Sequence, residues 1–325
     1  MRSAWALMLM LAMVAALPSA QGAAGDTAFP NKPIRVIVPF PAGSATDILT
    51  RVVGQKLAQP LGQNIIVDNR GGGSGSIGAL AAARATPDGH TLILGGLSML
   101  VVAPALNSAV GYTTQDFAPV SNVATAPYIL AVHAQVPATS VKELIALARS
   151  KPGQLSYASA GSGSLAHLAG ELFSRTAAIN LTHVPYKTSA QSVVDVANGR
   201  IDVLFGTLSP ILPFIQSGRL RVLGVTGKSR LPALPDAPPI AEAGLPGYNV
   251  IYWLGMLAPA ATPSAIIARL NRELVTILGT AEMRETLSAQ GLEATPTTPQ
   301  AFSGLLREDA VKWRNVIKVA GIRGE

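Results

Sequence analysis

From residue 34 onward the hydrophobic positions alternate between short continuous runs and stripes spaced three to four residues apart. Ile34-Arg35-Val36-Ile37-Val38 is almost wholly apolar and stops at Pro39, which predicts a buried strand. After a short loop ending at Asp47, Leu49, Val52, Val53 and Leu57 recur at helical spacing up to Pro60. The order then repeats. Asn64–Asp68 reads as a strand, 69–76 as a Gly/Ser-rich loop, and Ile77–Ala85 as a helix. A turn at Pro87-Asp88-Gly89 leads into a third strand, Thr91–Gly95.

Further along, Tyr128–His133, Leu155–Ala158, Leu181–Val184, Ile201–Phe205 and Arg221–Val225 read as strands. Helices are predicted over 140–149, 165–176 and 190–197, the first opened by Ser140 and Glu143 at capping-box spacing. A Pro-rich stretch, 231–239, crosses the surface. Beyond it Thr262 is expected to cap a helix with Pro263 in its first turn. Ile266, Ile267, Leu270, Leu274 and Ile277 form that helix's apolar face. The last helix, over 299–319, places Phe302, Leu306, Trp313 and Ile317 on one side.

Strands alternating with helices imply an α/β fold with mostly parallel sheets. Two such sets predict two lobes, one at 30–128 and one at 129–249. Residues 250–325 are too few for a third domain and are expected to pack back on the first lobe. The chain then crosses between lobes twice, which suits hinge closure around a ligand.

Residues 1–24 have another character. Arg2 is the only charged side chain before Asp26, Ala4–Leu17 is almost wholly apolar, and small residues follow up to Ala24. That is the pattern of a secretory signal peptide. The run falls short of the roughly 20 apolar residues of a membrane span, so a periplasmic, soluble mature chain is expected.

Composition narrows the chemistry. With no Cys, thiol catalysis and most zinc sites are excluded, and the four His show no short metal-ligand spacing. The net charge of +7 comes from scattered Lys and Arg, and aromatic residues make up only 5% of the chain. That gives neither a basic stripe nor a stacking platform, so no nucleic-acid partner is expected. A mild attraction for small anions is what remains.

Three strand-to-helix junctions are rich in Gly and Ser: Pro39–Asp47, Asn69–Gly78 and Ser159–Leu165. Small residues let the backbone approach a ligand, and each loop opens a helix whose first N–H groups lack partners. Such an entry holds a carboxylate without Lys or Arg. Ligands of open α/β sheets favour this carboxyl end of the strands. Taken singly, each loop reads equally well as a tight turn; three alike, from both lobes, point to a binding site.

Sharper motifs fail on context. Gly73-Ser74-Gly75-Ser76-Ile77-Gly78 has G-x-G-x-x-G spacing, but the next strand ends at Leu94–Leu100 without the acid a dinucleotide ribose needs. No Walker Lys follows a Gly loop, and no G-x-S-x-G elbow occurs. Ser162 or Ser164 near His167 suggests a nucleophile and base, yet no third group is evident. A His on a first helical turn is more often a packing or solvent-facing residue. No catalytic residue, cofactor or metal is therefore expected.

At these loops the chain resembles a known family. The matching stretches include Phe29-Pro30-Asn31-Lys32-Pro33, Val67-Asp68-Asn69-Arg70, Pro87-Asp88-Gly89, Asp116-Phe117-Ala118-Pro119, Tyr157-Ala158-Ser159-Ala160-Gly161, Ala166-His167-Leu168-Ala169-Gly170-Glu171, His183-Val184-Pro185-Tyr186-Lys187 and Glu242-Ala243-Gly244-Leu245-Pro246-Gly247. Together they span the whole mature chain in order. It resembles the substrate-binding proteins of tripartite tricarboxylate transporters, the Bug family of periplasmic receptors.

The resemblance implies a two-lobed, Venus-flytrap fold of the periplasmic-binding-protein kind (type II-like). Its ligands are di- and tricarboxylates, acidic amino acids or aromatic carboxylates. It implies that Phe40, Ala42, Gly43, Ser44, Thr46 and Asp47, with Gly73, Gly75 and Ser76, hold one carboxylate through backbone N–H groups and bridging waters. Ala160, Gly161, Ser162, Ser164 and His167, with Lys187, Gly206 and Thr207, would then cover the rest. The expected partners are membrane permease subunits, or alternatively a sensor kinase, and a monomer is expected.

Three departures fall near this pocket. The family's Pro-Pro-Gly-Gly is Pro41-Ala42-Gly43-Ser44 here, Phe-Asp-Asn is Phe205-Gly206-Thr207, and Tyr-Lys-Gly is Tyr186-Lys187-Thr188. Gly206 removes an acid that would pair with an ammonium group. A ligand without an amino group is therefore expected.

Overall fold

The apolar runs assemble into two mixed sheets, each with helices on both faces. The structure is a computed structural model that describes residues 29–322; the leader expected at 1–24 lies outside them. The chain first lays down β1 (Ile34–Val38), α1 (Ala45–Leu61), β2 (Ile65–Asn69), α2 (Ser76–Ala83) and β3 (Thr91–Gly96). A wide π-type turn, Ser98–Val102, and the short α3 (Ala103–Leu106) lead to β4 (Phe117–Pro127).

The second sheet follows: β5 (Ile129–His133), α4 (Val141–Ser150), β6 (Ser156–Ser159), α5 (Leu165–Thr176), β7 (Thr182–Pro185), α6 (Ser189–Ala197), β8 (Val203–Gly206), α7 (Leu208–Gln216) and β9 (Leu220–Val225). The chain then returns as β10 (Ile251–Pro259), α8 (Ser264–Leu278), α9 (Ala281–Ser288), β11 (Glu293–Ala294) and α10 (Pro299–Ala320).

Strand order is β11-β4-β10-β3-β1-β2 in one sheet and β7-β6-β8-β5-β9 in the other. β1 runs parallel to β2 and β3, and β6 runs parallel to β7 and β8. Against the mostly parallel sheets expected, β10 lies antiparallel between β3 and β4, and β5 antiparallel between β8 and β9. The reason is where the chain crosses. β5 and β10 are the first strands after each crossover, and both enter beside the carboxyl ends of their neighbours, Ile129 opposite Gly206 and Leu254 opposite Gly96. From there each must run backwards.

The two crossovers are tied to each other. Tyr128 alone separates β4 from β5, and residues 226–250 join β9 to β10. Fully buried Thr226 sits between them: its hydroxyl accepts from Tyr128 N (2.7 Å) and donates to Val250 O (2.6 Å). Its backbone bonds both as well, donating to Tyr128 O (2.8 Å) and accepting from Val250 N (2.9 Å).

The tail packs where the 3.6-residue stripes predict. α8 sets Leu270 and Leu274 into the same core as Leu49 and Val53 of α1. On the opposite face of that sheet α10 seats Phe302 directly on Gly255 of β10, and Asp309 accepts from Trp253 Nε1 (2.6 Å). One start differs from the expected Thr262 cap. α8 begins at Ser264 with Pro263 as its cap, while the Thr262 hydroxyl turns back to Pro259 O (2.7 Å). α7 forms although Pro210 and Pro213 interrupt its helical pattern, and its N-terminal turn tolerates the first of them.

Candidate functional site between the sheets

Both crossovers lie at the carboxyl ends of β3 and β8, so the loops at those ends of the two sheets face one another across the hinge. The helices that start in this gap, α1, α2, α5, α6 and α7, turn their N-termini toward it. Between the lobes Gly163 lies against Leu106 and Val102, Gly291 lies against Leu208, and α10 packs against α5.

In the first lobe Ser44 caps α1, its hydroxyl accepting from Asp47 N (3.3 Å). Asp47 is buried and spent on the loop itself. Its carboxylate accepts from Gly43 N (2.8 Å), Asn69 Nδ2 (3.0 Å) and Arg51 (3.0 and 3.1 Å). The Arg51 guanidinium, helped by Gly43 and Asn69, outweighs burial and holds the Asp47 carboxyl below the usual carboxylate range. Asn69 also donates to Phe40 O (3.1 Å), so one cluster stitches the first loop to the second. Asp47 thus shapes the expected cradle. Thr46 is buried, close to the Tyr252 phenol at the start of β10.

Ala42 and Gly43 are exposed, and Phe40 and Ser44 are half-buried. Gly73 and Gly75 form a single tight turn ahead of α2, with Gly75 buried against Pro39 and Met99 and Ser76 the first residue of the helix.

In the second lobe the loop after β6 is held from below. Ser159, fully buried, accepts from Gly161 N (3.1 Å), donates to Gly161 O (3.1 Å) and meets His183 Nε2 at 2.6 Å. The hydroxyl has one proton, so the arrangement closes with His183 as the donor. His167 Nδ1 accepts from Gly163 N (3.1 Å), so its proton belongs on Nε2. The two imidazoles stack with centroids 3.8 Å apart and planes 3° apart, and Tyr157 stacks on His183 at 4.9 Å. Burial pushes both imidazoles down to about 4, with the charge of His183 adding to the effect on His167.

Sequence reasoning placed His167 here but missed His183 and Ser159. His183 reaches the loop only because β7 pairs in parallel with β6, setting it opposite Tyr157. Its presence in the His183-Val184-Pro185-Tyr186-Lys187 match was the available signal. Ser164 caps α5 through His167 N (3.3 Å). Ala160 is exposed, and Gly161 and Ser162 are half-buried, at the surface of this loop. Lys187 is exposed ahead of α6. Gly206 ends β8, and Thr207 caps α7 without a side-chain bond.

The chemistry on offer is anion capture by helix N-termini and backbone N–H groups. The nucleophile–base pairing loses its base, because His167 Nδ1 is occupied and its ring is stacked on His183 below the loop. Among the described residues no group of three or more His, Cys, Asp or Glu stands together to hold a metal ion.

A cavity of about 820 Å³ lies beside the crossovers, walled by Thr125, Pro127 and Ile251 on one side and by Leu208 and 227–233 on the other. None of the expected loop residues lines it. Its nearest link to them is in sequence, since Leu208 follows Thr207.

Two α/β lobes joined by paired crossovers, with helix N-termini facing across the gap, define a solute-binding protein of the periplasmic type. The tripartite tricarboxylate transporter family receptor matches residues 49–322, and the chain belongs to this family. It is similar to the protein BugT of Bordetella pertussis, 34% identical over 91% of each chain. Its fold matches that of the R. palustris protein Rpa4515 with adipate, at a TM-score of 0.81 and 35% identity over 91% of this chain and 99% of that one. It also matches MatC from Rhodopseudomonas palustris with bound malate, at a TM-score of 0.77 and 30% identity over 89% and 100% of the two chains. The family and these neighbours are receptors, not enzymes, and receptors of the family are periplasmic.

Proposed function

We propose that this receptor captures a small carboxylate lacking an amino group between lobes at 30–128 plus 250–325 and 129–249. It then presents the ligand to the membrane subunits of a tripartite transporter. It acts as a monomer, without cofactor or turnover, after export and removal of the leader at 1–24.

One observation carries the reading: helix entries from both lobes open into one gap at the hinge. The loops 40–47 and 73–76 take one carboxylate, and 160–167, 187 and 206–207 close over it. Adipate and malate in the two neighbouring structures support a carboxylate ligand. Among the described residues Gly206 offers no acid for an ammonium group. A dissociation constant near ~1 µM needs about −8 kcal/mol, within reach of several charge-assisted hydrogen bonds less the cost of closure.

The test is a thermal-shift panel of carboxylates and acidic amino acids on the mature chain. Stabilisation by plain carboxylates and none by aspartate or glutamate is expected. Binding of the amino acids alone would overturn the choice of ligand.

A further inference from the structure

The chain has six tyrosines, and four of their hydroxyls are spent inside the fold. Tyr112 donates to Met99 O, Tyr157 to Glu171, Tyr186 to Asp195 and Tyr248 to Ala169 O, at 2.6–2.9 Å. Tyr128 and Tyr252 differ. Among the described residues neither hydroxyl donates to a protein acceptor, yet neither is sealed in as a buried orphan, and both side chains are half-buried. A phenol whose ring is packed away usually finds a partner for its hydroxyl. Here that partner comes from outside the chain.

These two tyrosines are also the ones that stand at the crossovers. Tyr128 is the single residue between β4 and β5, and Tyr252 is the second residue of β10. Their rings meet, with centroids 6.1 Å apart and planes at 33°. The register accounts for this: Tyr252 lies opposite Ala126 of β4, and Tyr128, two residues on, shares that face. Their neighbours Pro127 and Ile251 face the other way and line the cavity beside the crossovers. Each ring has one lobe's loops next to it. Thr46 of the α1 entry is close to the Tyr252 phenol. Tyr128 precedes Ile129, which pairs with Gly206, so it stands at the end of β8 where Thr207 opens α7. Burial pushes both phenols above their ordinary range, with Tyr252 adding to the effect on Tyr128. Both therefore keep a proton to donate at neutral pH.

We propose that Tyr128 and Tyr252 form the floor of the interlobe site, their hydroxyls donating to the bound acid and their rings meeting its carbon skeleton. The inference rests on the carboxylate reading above and adds two contacts carried by the crossovers rather than by the loops.

The experiment titrates adipate and malate calorimetrically into the mature chain, Y128F and Y252F. Each substitution removes one hydroxyl and keeps the ring, so the unliganded melting temperature should match that of the wild type. Affinity for whichever acid the wild type binds more tightly is expected to fall about tenfold in each variant, the size of one hydrogen bond to a charged acceptor. Unchanged affinity in both variants would sink the two contacts and leave the carboxylate reading standing. An affinity loss that comes with an equal loss of unliganded stability would make the pair structural and also sink them. Failure of the wild type to bind either acid would sink both readings.

Discussion

The imidazoles of His167 and His183 stack face to face, 3.8 Å apart and 3° from coplanar, beneath the loop that closes the second lobe. His167 comes from the first turn of α5, and His183 from β7. Between them they anchor Gly163 and, through Ser159, Gly161. Tyr157 packs against both rings, and its hydroxyl donates to Glu171 (2.9 Å).

Both rings titrate near 4 in the folded chain, because burial disfavours the cation. An unfolded His titrates near ~6.5, so the unfolded chain binds more protons between those values. Stability is therefore full above ~6.5 and falls as pH drops toward about 4, by roughly 1–3 kcal/mol. Denaturant melts at pH 7, 5.5 and 4 will show this. H167N/H183Q keeps an acceptor at Nδ1 and a donor at Nε2 without titrating, and should flatten the slope. An unchanged slope in the variant would assign the effect elsewhere.

Asp47 offers a second check, since it holds Gly43, Arg51 and Asn69 at once. D47A removes the acceptor shared by Gly43 N, Asn69 and Arg51, leaving Asn69 only Phe40 O, at a cost of about 1–2 kcal/mol in stability. Carboxylate affinity should fall by about tenfold, as the cradle loosens. A variant with native melting behaviour and native affinity would show that the cluster is idle.

Thr226 is the clasp between the crossovers. T226V deletes the hydroxyl and leaves Tyr128 N buried without an acceptor, predicting a loss of about 1–3 kcal/mol. The proposed closure turns the lobes about these segments, so ligand affinity should change too. Small-angle scattering with and without carboxylate would measure whether closure survives. Wild-type stability and closure in T226V would remove Thr226 from the hinge.

Gly161 has φ +103° and its Cα faces Tyr186 O. G161V forces a β-branched residue into a conformation costing about 1–3 kcal/mol, and the loop must move to relieve it. Binding should be lost while circular dichroism stays native. Unchanged affinity would put the ligand away from this loop.

Much of this was written in local sequence. The runs at Ile34–Val38 and Thr91–Gly95 and the stripe of α10 were readable because each buries its own periodic face. Strand direction was not, since β5 and β10 are turned by where the crossovers enter. The Gly/Ser entries marked the gap, but the roles inside it depended on pairing across the sheets. The Asp47 side chain meets Asn69 from another loop, and His183 meets Ser159 through the alignment of β7 with β6, pairings that local sequence does not display. The cavity walls come from 125–127, 227–233, 249–251 and 284–294, segments too far apart in the chain to be linked by motif.

The most direct measurement of the central claim is calorimetric titration of an adipate-sized dicarboxylate into the mature protein and into G161V. One molecule bound per chain with a dissociation constant in the micromolar range, about −8 kcal/mol, and no heat from G161V is the predicted result. No binding by any carboxylate, or equal binding by both proteins, would contradict it.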